Sequence, residues 1–181
     1  LGFGTSVSLA DNLETAAGSL SNAQALKNAR ALALFSFGQG ETTVSPLNLA
    51  AAVNAIAADG IYMTPRLVYG PVDTNLSVQE TEENTGEKVM EPTTAARLRA
   101  YMESTARFGT ARIGAPQNCV SGIKTGTAQT GVYDENGEEI ENYWYAGYIC
   151  NAQEEPLYTL VVLEETAGEM HVPQAFRKIG E

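Results

Sequence analysis

A single histidine, His171, and two cysteines, Cys119 and Cys150, are all that this sequence offers of the residues that most often build triads and metal centres. The cysteines stand too far apart in the chain for a zinc knuckle. His171 lies just before Pro173, where the last helix is expected to begin, and a capping or surface role is favoured there over general-base chemistry. Basic residues are scarce as well. Eleven Lys and Arg face 22 Asp and Glu, for a formal net charge of -11. That balance argues against a nucleic-acid partner, which needs a basic footprint, and against adhesion to anionic lipid. The acidity is read as keeping the surface soluble. No apolar run reaches the roughly 20 residues of a membrane span, and no secretory leader is legible.

What is present supports a folded domain. Hydrophobic residues make up 44% and charged residues 18% of 181, enough to bury the core of one domain or most of one. There is no internal repeat and no low-complexity tract. Gly2-x-Gly4 and Gly38-x-Gly40 lack the third glycine of a dinucleotide fingerprint and the Gly-Lys-Ser/Thr of a phosphate loop, so turns or tight packing explain them better. The carboxylate pairs Glu82-Glu83 and Glu154-Glu155 fall in polar stretches and read as solvated surface.

Periodicity and punctuation predict the elements. Ser21 to Phe35 suits a helix. Ser45-Pro46 supplies a cap and a first-turn proline for a buried helix over Leu47–Ala58, with Gly60 just past its end. Pro65–Tyr69 is expected to be a short strand, and Val72–Met90 a polar hairpin or mobile excursion without chemistry. A second helix is expected over Thr93–Arg107, opened by Pro92 and stopped by Gly109. Three β-rich runs follow, Val120–Gln129, Tyr143–Ile149 and Leu157–Glu164, and then a helix over Pro173–Ile179. A register that sets Lys124 opposite Tyr145 would also set Cys119 opposite Cys150. The expectation is nevertheless that the two thiols do not pair.

The chemistry concentrates in Lys124-Thr125-Gly126-Thr127. On a strand, Lys124 and Gly126 leave one face, and Thr125 and Thr127 the other. Along an exposed edge a peptide-like ligand can add as a further strand. Gly126 lets that ligand's backbone approach closely. Lys124 sets a positive charge beside a reacting serine or a ligand carboxylate, the threonine hydroxyls can donate to the same carboxylate, and the Thr127 amide can serve as an oxyanion donor. An ordinary strand that happens to carry a lysine is the plainer alternative. Ser121-Gly122-Ile123-Lys124 matches Ser-x-x-Lys only as text. Such a pair needs a helix to share a face, and on a strand the two side chains diverge.

Several stretches together are similar to one family. Ser36-Phe37-Gly38-Gln39-Gly40 with Val44-Ser45-Pro46-Leu47 and Leu49-Ala50, then Gly60 with Pro65-Arg66-Leu67-Val68, then Gly109-Thr110-Ala111, then Lys124 to Gln129, and finally Trp144-Tyr145-Ala146-Gly147-Tyr148 resemble the C-terminal part of a penicillin-binding protein transpeptidase domain. The class B, monofunctional type is the most similar. Ile123 departs from the glycine or other small residue usual before the lysine, which would narrow the approach to the strand. The family's Ser-x-x-Lys nucleophile motif and its Ser-x-Asn motif have no counterpart. Leu1-Gly2-Phe3-Gly4 resembles the segment that follows the second motif. The sequence therefore reads as one partial transpeptidase domain over residues 1–181.

The resemblance implies the α/β fold of penicillin-binding proteins and serine β-lactamases, an antiparallel sheet flanked by helices. It implies a parent D,D-transpeptidase that cross-links peptidoglycan stem peptides through an acyl-serine and is acylated by β-lactams. Lys124 and Thr127 would be its catalytic residues here, and Thr125, Gly126 and Thr127 its substrate-binding residues. It implies no metal and no cofactor. The implied partners are stem peptides, β-lactams, the N-terminal part of the same domain and cell-wall synthesis proteins. The implied location is the extracytoplasmic face of the bacterial cytoplasmic membrane, with an anchor upstream of Leu1. Without a nucleophile, residues 1–181 alone should not catalyse, and an apolar surface should lie open where the rest of the domain docks. A D,D-carboxypeptidase, a β-lactamase-type hydrolase and a non-catalytic scaffold remain alternatives.

Overall fold

Three long strands form the centre of the fold because β-rich runs are separated by turns that the chain closes with its own side chains. In the computed structural model, which describes residues 1–68, 70, 73–75, 77, 85–165 and 171–181, β5 (Ser121–Tyr133), β6 (Glu139–Cys150) and β7 (Pro156–Glu164) make one antiparallel sheet in that order. At the β5–β6 turn, the Asp134 carboxylate accepts from the amides of Asn136 at 2.8 Å and Glu138 at 2.9 Å. These donors hold the Asp134 carboxyl below the usual carboxylate range. Asn151 plays the same part between β6 and β7, accepting from Gln153 and Glu155.

The register differs by one residue from the one considered above. Lys124 lies opposite Ala146, and Thr125 opposite Tyr145. The cause is a cross-strand pair. Tyr148 is fully buried and lies opposite Gly122, where an added Cβ would come within 2.4 Å of the tyrosine ring. A slip of one residue would turn Ser121 toward that ring and reverse every side chain of β5. Val120, not Cys119, consequently pairs with Cys150, whose amide donates to the Val120 carbonyl at 2.9 Å. Both thiols are free. Burial pushes the Cys150 thiol up to about 11.

Helices cover both faces of this sheet. Helix α2 (Pro46–Ala57) starts where Ser45 Oγ accepts from the Asn48 amide at 3.1 Å. Helix α3 (Pro92–Phe108) starts with proline in its first turn and ends at Gly109. On one face, Val53 of α2 and Met102 of α3 pack with Ala146, Tyr148 and Cys150. On the other, α4 (Val172–Gly180) sends Val172 and Phe176 against Ile123, Tyr145 and Ile149. The Tyr148 hydroxyl donates to Glu103 Oε1 at 3.0 Å, and burial beside that carboxylate holds the phenol well above its usual range. Arg99 ties α3 to the end of α2 through the Ile56 carbonyl at 3.0 Å and an ion pair with Asp59 at 2.7 Å.

Elsewhere the expectations need amendment. The Ser21–Phe35 helix is shorter, a 3₁₀ turn at Ala25–Lys27 followed by α1 (Ala29–Ser36). Asn28 divides them by accepting from the amides of Arg30 and Ala31. Residues 65–68 form no strand, and Tyr69 lies outside the described residues. Pro65 has no N–H to give a ladder, and Leu67 makes a single backbone bond to Leu9. The short strand falls earlier, where β3 (Ile61–Tyr62) pairs antiparallel with β4 (Glu87–Lys88). The hairpin expected over Val72–Met90 falls partly outside the described residues; its described end supplies β4. Near the N-terminus, β1 (Ser8–Ala10) and β2 (Leu13–Glu14) make a small separate pair.

Candidate active site

Every residue of the Lys-Thr-Gly-Thr run lies on β5, which is an edge of the sheet. In an antiparallel ladder, alternate residues turn both backbone groups toward the partner strand. Val120 is of that set, and pairing is unbroken from Ser121 to Gln129, so Lys124 and Gly126 bond to β6 while Thr125 and Thr127 face outward. Two side-chain contacts fit this arrangement. Gln39 Nε2 donates to the Thr127 carbonyl at 2.9 Å, and Lys124 Nζ donates to the Thr125 carbonyl. Among the described residues, no group outside the sheet bonds the outward amides of Thr125 and Thr127. The edge thus offers two free N–H donors with both intervening carbonyls already occupied.

The side chains are held from neighbouring elements. Thr125 Oγ1 shares a hydrogen bond of 2.9 Å with Thr110 Oγ1, from the Gly109-Thr110-Ala111 turn after α3. Tyr145 reaches the Thr110 carbonyl at 3.4 Å from the opposite strand. Lys124, Gly126 and Thr127 are exposed and Thr125 is half-buried. Ile123 is fully buried against Tyr145 and Phe176, so its side chain fills the core and does not narrow the approach over Lys124.

Two clefts meet at this strand. One, of about 720 Å³, runs between β5 and the turn after α1, with Gln39, Glu41 and Thr43 on one wall and Lys124, Thr127 and Gln129 on the other. The second, of about 490 Å³, lies on the α2/α3 face of the sheet. Its walls are apolar side chains such as Val53, Ile56 and Met102, and its floor holds Lys124, Gly126 and Trp144. It is an open and largely apolar surface.

Other candidates lie apart. Ser121 is buried and precedes Lys124 on the same strand by an odd number of residues, so the two leave opposite faces. His171 caps α4, its amide donating to Gln174 Oε1 at 3.1 Å and its ring meeting Glu164 Oε1 at 3.3 Å. Among the described residues no group of three His, Cys, Asp or Glu could hold a metal, and no helix is long and apolar enough to cross a membrane. Sequence reasoning did not single out Gln39 or the Thr110 hydroxyl as site residues. Both reach β5 from distant segments; the stretches Ser36–Gly40 and Gly109–Ala111 that carry them stood out in the sequence, but the contacts with Thr127 and Thr125 did not.

Comparison with known proteins follows the same lines. The family model for the penicillin binding protein transpeptidase domain matches residues 1–180. The peptidoglycan D,D-transpeptidase PbpA of Mycolicibacterium smegmatis is 30% identical over 145 residues, which is 78% of this chain and 28% of that protein. Penicillin-binding protein 1F of Bacillus subtilis is 29% identical over 60% of this chain and 15% of its own length. Among solved structures, penicillin-binding protein 3 of Mycobacterium tuberculosis in complex with aztreonam aligns with a TM-score of 0.80 at 20% identity, over 99% of this chain and 42% of that one. Penicillin-binding protein A of M. tuberculosis aligns with a TM-score of 0.73 at 24% identity, over 91% and 35%. The fold is therefore the α/β fold of these transpeptidase domains, and the chain spans less than a third of the length of the two curated relatives and less than half of the two solved chains.

Proposed function

The chain belongs to the penicillin-binding protein transpeptidase family, and from that premise we propose that it forms the ligand-pairing part of a serine-type D,D-transpeptidase that cross-links peptidoglycan stem peptides. The observation that carries this reading is the edge of β5, where the outward amides of Thr125 and Thr127 lie free beside Lys124. A stem peptide ending in D-Ala-D-Ala pairs along that edge as an added strand. The penultimate D-Ala carbonyl accepts from the Thr127 amide, which stabilises the oxyanion as a nucleophile attacks. Lys124 and the hydroxyls of Thr125 and Thr127 hold the terminal carboxylate.

The nucleophile is a serine on a helix outside residues 1–181, since the sequence holds no helical Ser-x-x-Lys. It attacks the penultimate carbonyl, the terminal D-Ala leaves as the amine after taking up a proton, and an acyl-serine ester remains. An amine from a second stem peptide then attacks the ester and restores the serine. β-Lactams acylate the same serine. The apolar cleft between α2 and α3 receives the part of the domain that bears this serine, which brings it beside Lys124 on the cleft floor. The reading carries with it the extracytoplasmic face of a bacterial membrane and cell-wall synthesis proteins as partners. The name of the M. smegmatis relative, a D,D-transpeptidase, favours transfer over hydrolysis.

Incubation with a fluorescent penicillin tests this. Residues 1–181 alone should take no covalent label, and a longer chain that includes the helical Ser-x-x-Lys should. Covalent labelling of the 181-residue chain would overturn the proposal.

A further inference from the structure

We infer that Gln39 is a built-in cap on the ligand-pairing edge, a specificity residue that occupies the one carbonyl a paired ligand amide would use. The inference rests on the reading that a peptide adds along β5, and it concerns what that peptide meets there. In an antiparallel pair of the hydrogen-bonded kind, two residues exchange both of their N–H···O bonds. The ligand residue whose carbonyl accepts from the Thr127 amide is therefore the residue whose own N–H points at the Thr127 carbonyl. For a D-Ala-D-Ala peptide that is the penultimate D-Ala. In this structure the Thr127 carbonyl already accepts from Gln39 Nε2 at 2.9 Å.

Gln39 is placed for this contact by the turn that follows α1. Gly38 and Gly40 on either side have φ of 86° and 105°, which lets the chain turn so that a half-buried Gln39 reaches β5. Gln39 also lines the cleft that runs along the edge, so the side chain lies where the ligand must come. Lys124 covers the Thr125 carbonyl in the same way, and the free backbone groups of Thr125 and Thr127 on the resting edge are their N–H donors. Such an edge suits an incoming oxyanion or carboxylate.

A carbonyl oxygen has two lone pairs, so a ligand amide that reaches the Thr127 carbonyl either displaces Gln39, exchanging one hydrogen bond for another, or shares the oxygen with it at reduced strength. The ligand N–H then adds little to affinity. With the Gln39 donor removed, the same N–H gains the full net worth of a hydrogen bond, a factor of about two to tenfold.

The test uses the 181-residue chain and its Gln39→Met variant, which keeps the side-chain length and removes the donor. Binding is measured by calorimetry for diacetyl-L-Lys-D-Ala-D-Ala and for its depsipeptide, in which an ester oxygen replaces the penultimate D-Ala N–H. Differences intrinsic to the ester cancel between the two proteins. The amide-over-ester preference should rise by about two to tenfold in Gln39→Met. The carbon resonance of the Thr127 carbonyl should also move in the ligand-free variant, while those of Gly122 and Ile123 stay in place. An unchanged preference, or an unmoved Thr127 carbonyl, overturns the inference. If the carbonyl moves and neither ligand binds either protein, Gln39 does cap the edge, but peptide pairing along β5 fails and the specificity role fails with it.

Discussion

Gly122 and Gly126 lie on the same face of β5, two repeats of the ladder apart, and a methyl group added to each meets different surroundings. At Gly122 it would come within 2.4 Å of the Tyr148 ring; at Gly126 the nearest atom is the Trp144 Cβ at 3.5 Å, an ordinary contact. The residues around them follow suit. Ser121, Gly122 and Ile123 are buried, whereas Lys124, Gly126 and Thr127 are exposed. The first half of β5 is dictated by what the chain packs against. Packing does not dictate Lys124, Gly126 and Thr127, and the glycine at 126 meets no close neighbour. Stability and ligand binding should therefore separate along one strand at residue 124.

Substitutions can break that division. The largest effect is expected at Ile123, fully buried between Tyr145 and Phe176. Ile123→Ala should lose about 2–5 kcal/mol of unfolding free energy in urea denaturation. Gly122→Ala should cost about 1–3 kcal/mol, because the Tyr148 ring must shift and the register depends on it. If Gly122→Ala is neutral, the cross-strand pair does not set the register.

Tyr148→Phe leaves Glu103 without its buried donor, and a loss of about 1–3 kcal/mol is expected. This variant also tests a pH dependence. The folded-state phenol of Tyr148 is raised above its ordinary value of 10.0. The folded chain therefore holds that proton more tightly than the unfolded chain does. The resulting stability is complete below pH 10 and declines as the pH rises above it. Other raised tyrosines, Tyr62, Tyr143 and Tyr145, contribute to the same decline. Tyr148→Phe should make the slope above pH 10 shallower, and an unchanged slope would remove Tyr148 from the account. The smallest stability effect is expected at Gly126→Ala, within about 0.5 kcal/mol. The same variant should weaken binding of a D-Ala-D-Ala peptide, which calorimetry would show.

Much of this was legible in the sequence because the signals are local. Ser45-Pro46 marks the start of α2, Pro92 and Gly109 bracket α3, and alternating β-rich runs give the three strands. The placement of Lys124 to Thr127 on a strand and the unsuitability of Ser121 as a partner of Lys124 follow from period-two alternation alone. The register did not follow, because it is decided by Tyr148 needing Gly122 across the ladder. A register one residue away would set Cys119 opposite Cys150, where the fold sets Val120. The strand expected over Pro65–Tyr69 is absent at residues 65–68, where Pro65 cannot donate to a ladder. Gln39 and Thr110 reach the site from segments far away in the chain, and only the folded geometry brings them to Thr127 and Thr125.

The division of β5 is tested most directly by titrating the isotopically labelled 181-residue chain with diacetyl-L-Lys-D-Ala-D-Ala and following its backbone amides. The amides of Thr125 and Thr127 should shift most, with those of Ser121, Gly122 and Ile123 nearly still. Shifts centred on β7, the other edge of the sheet, or on Ser121 to Ile123, would contradict the claim that the Lys124–Thr127 edge is held open for a ligand.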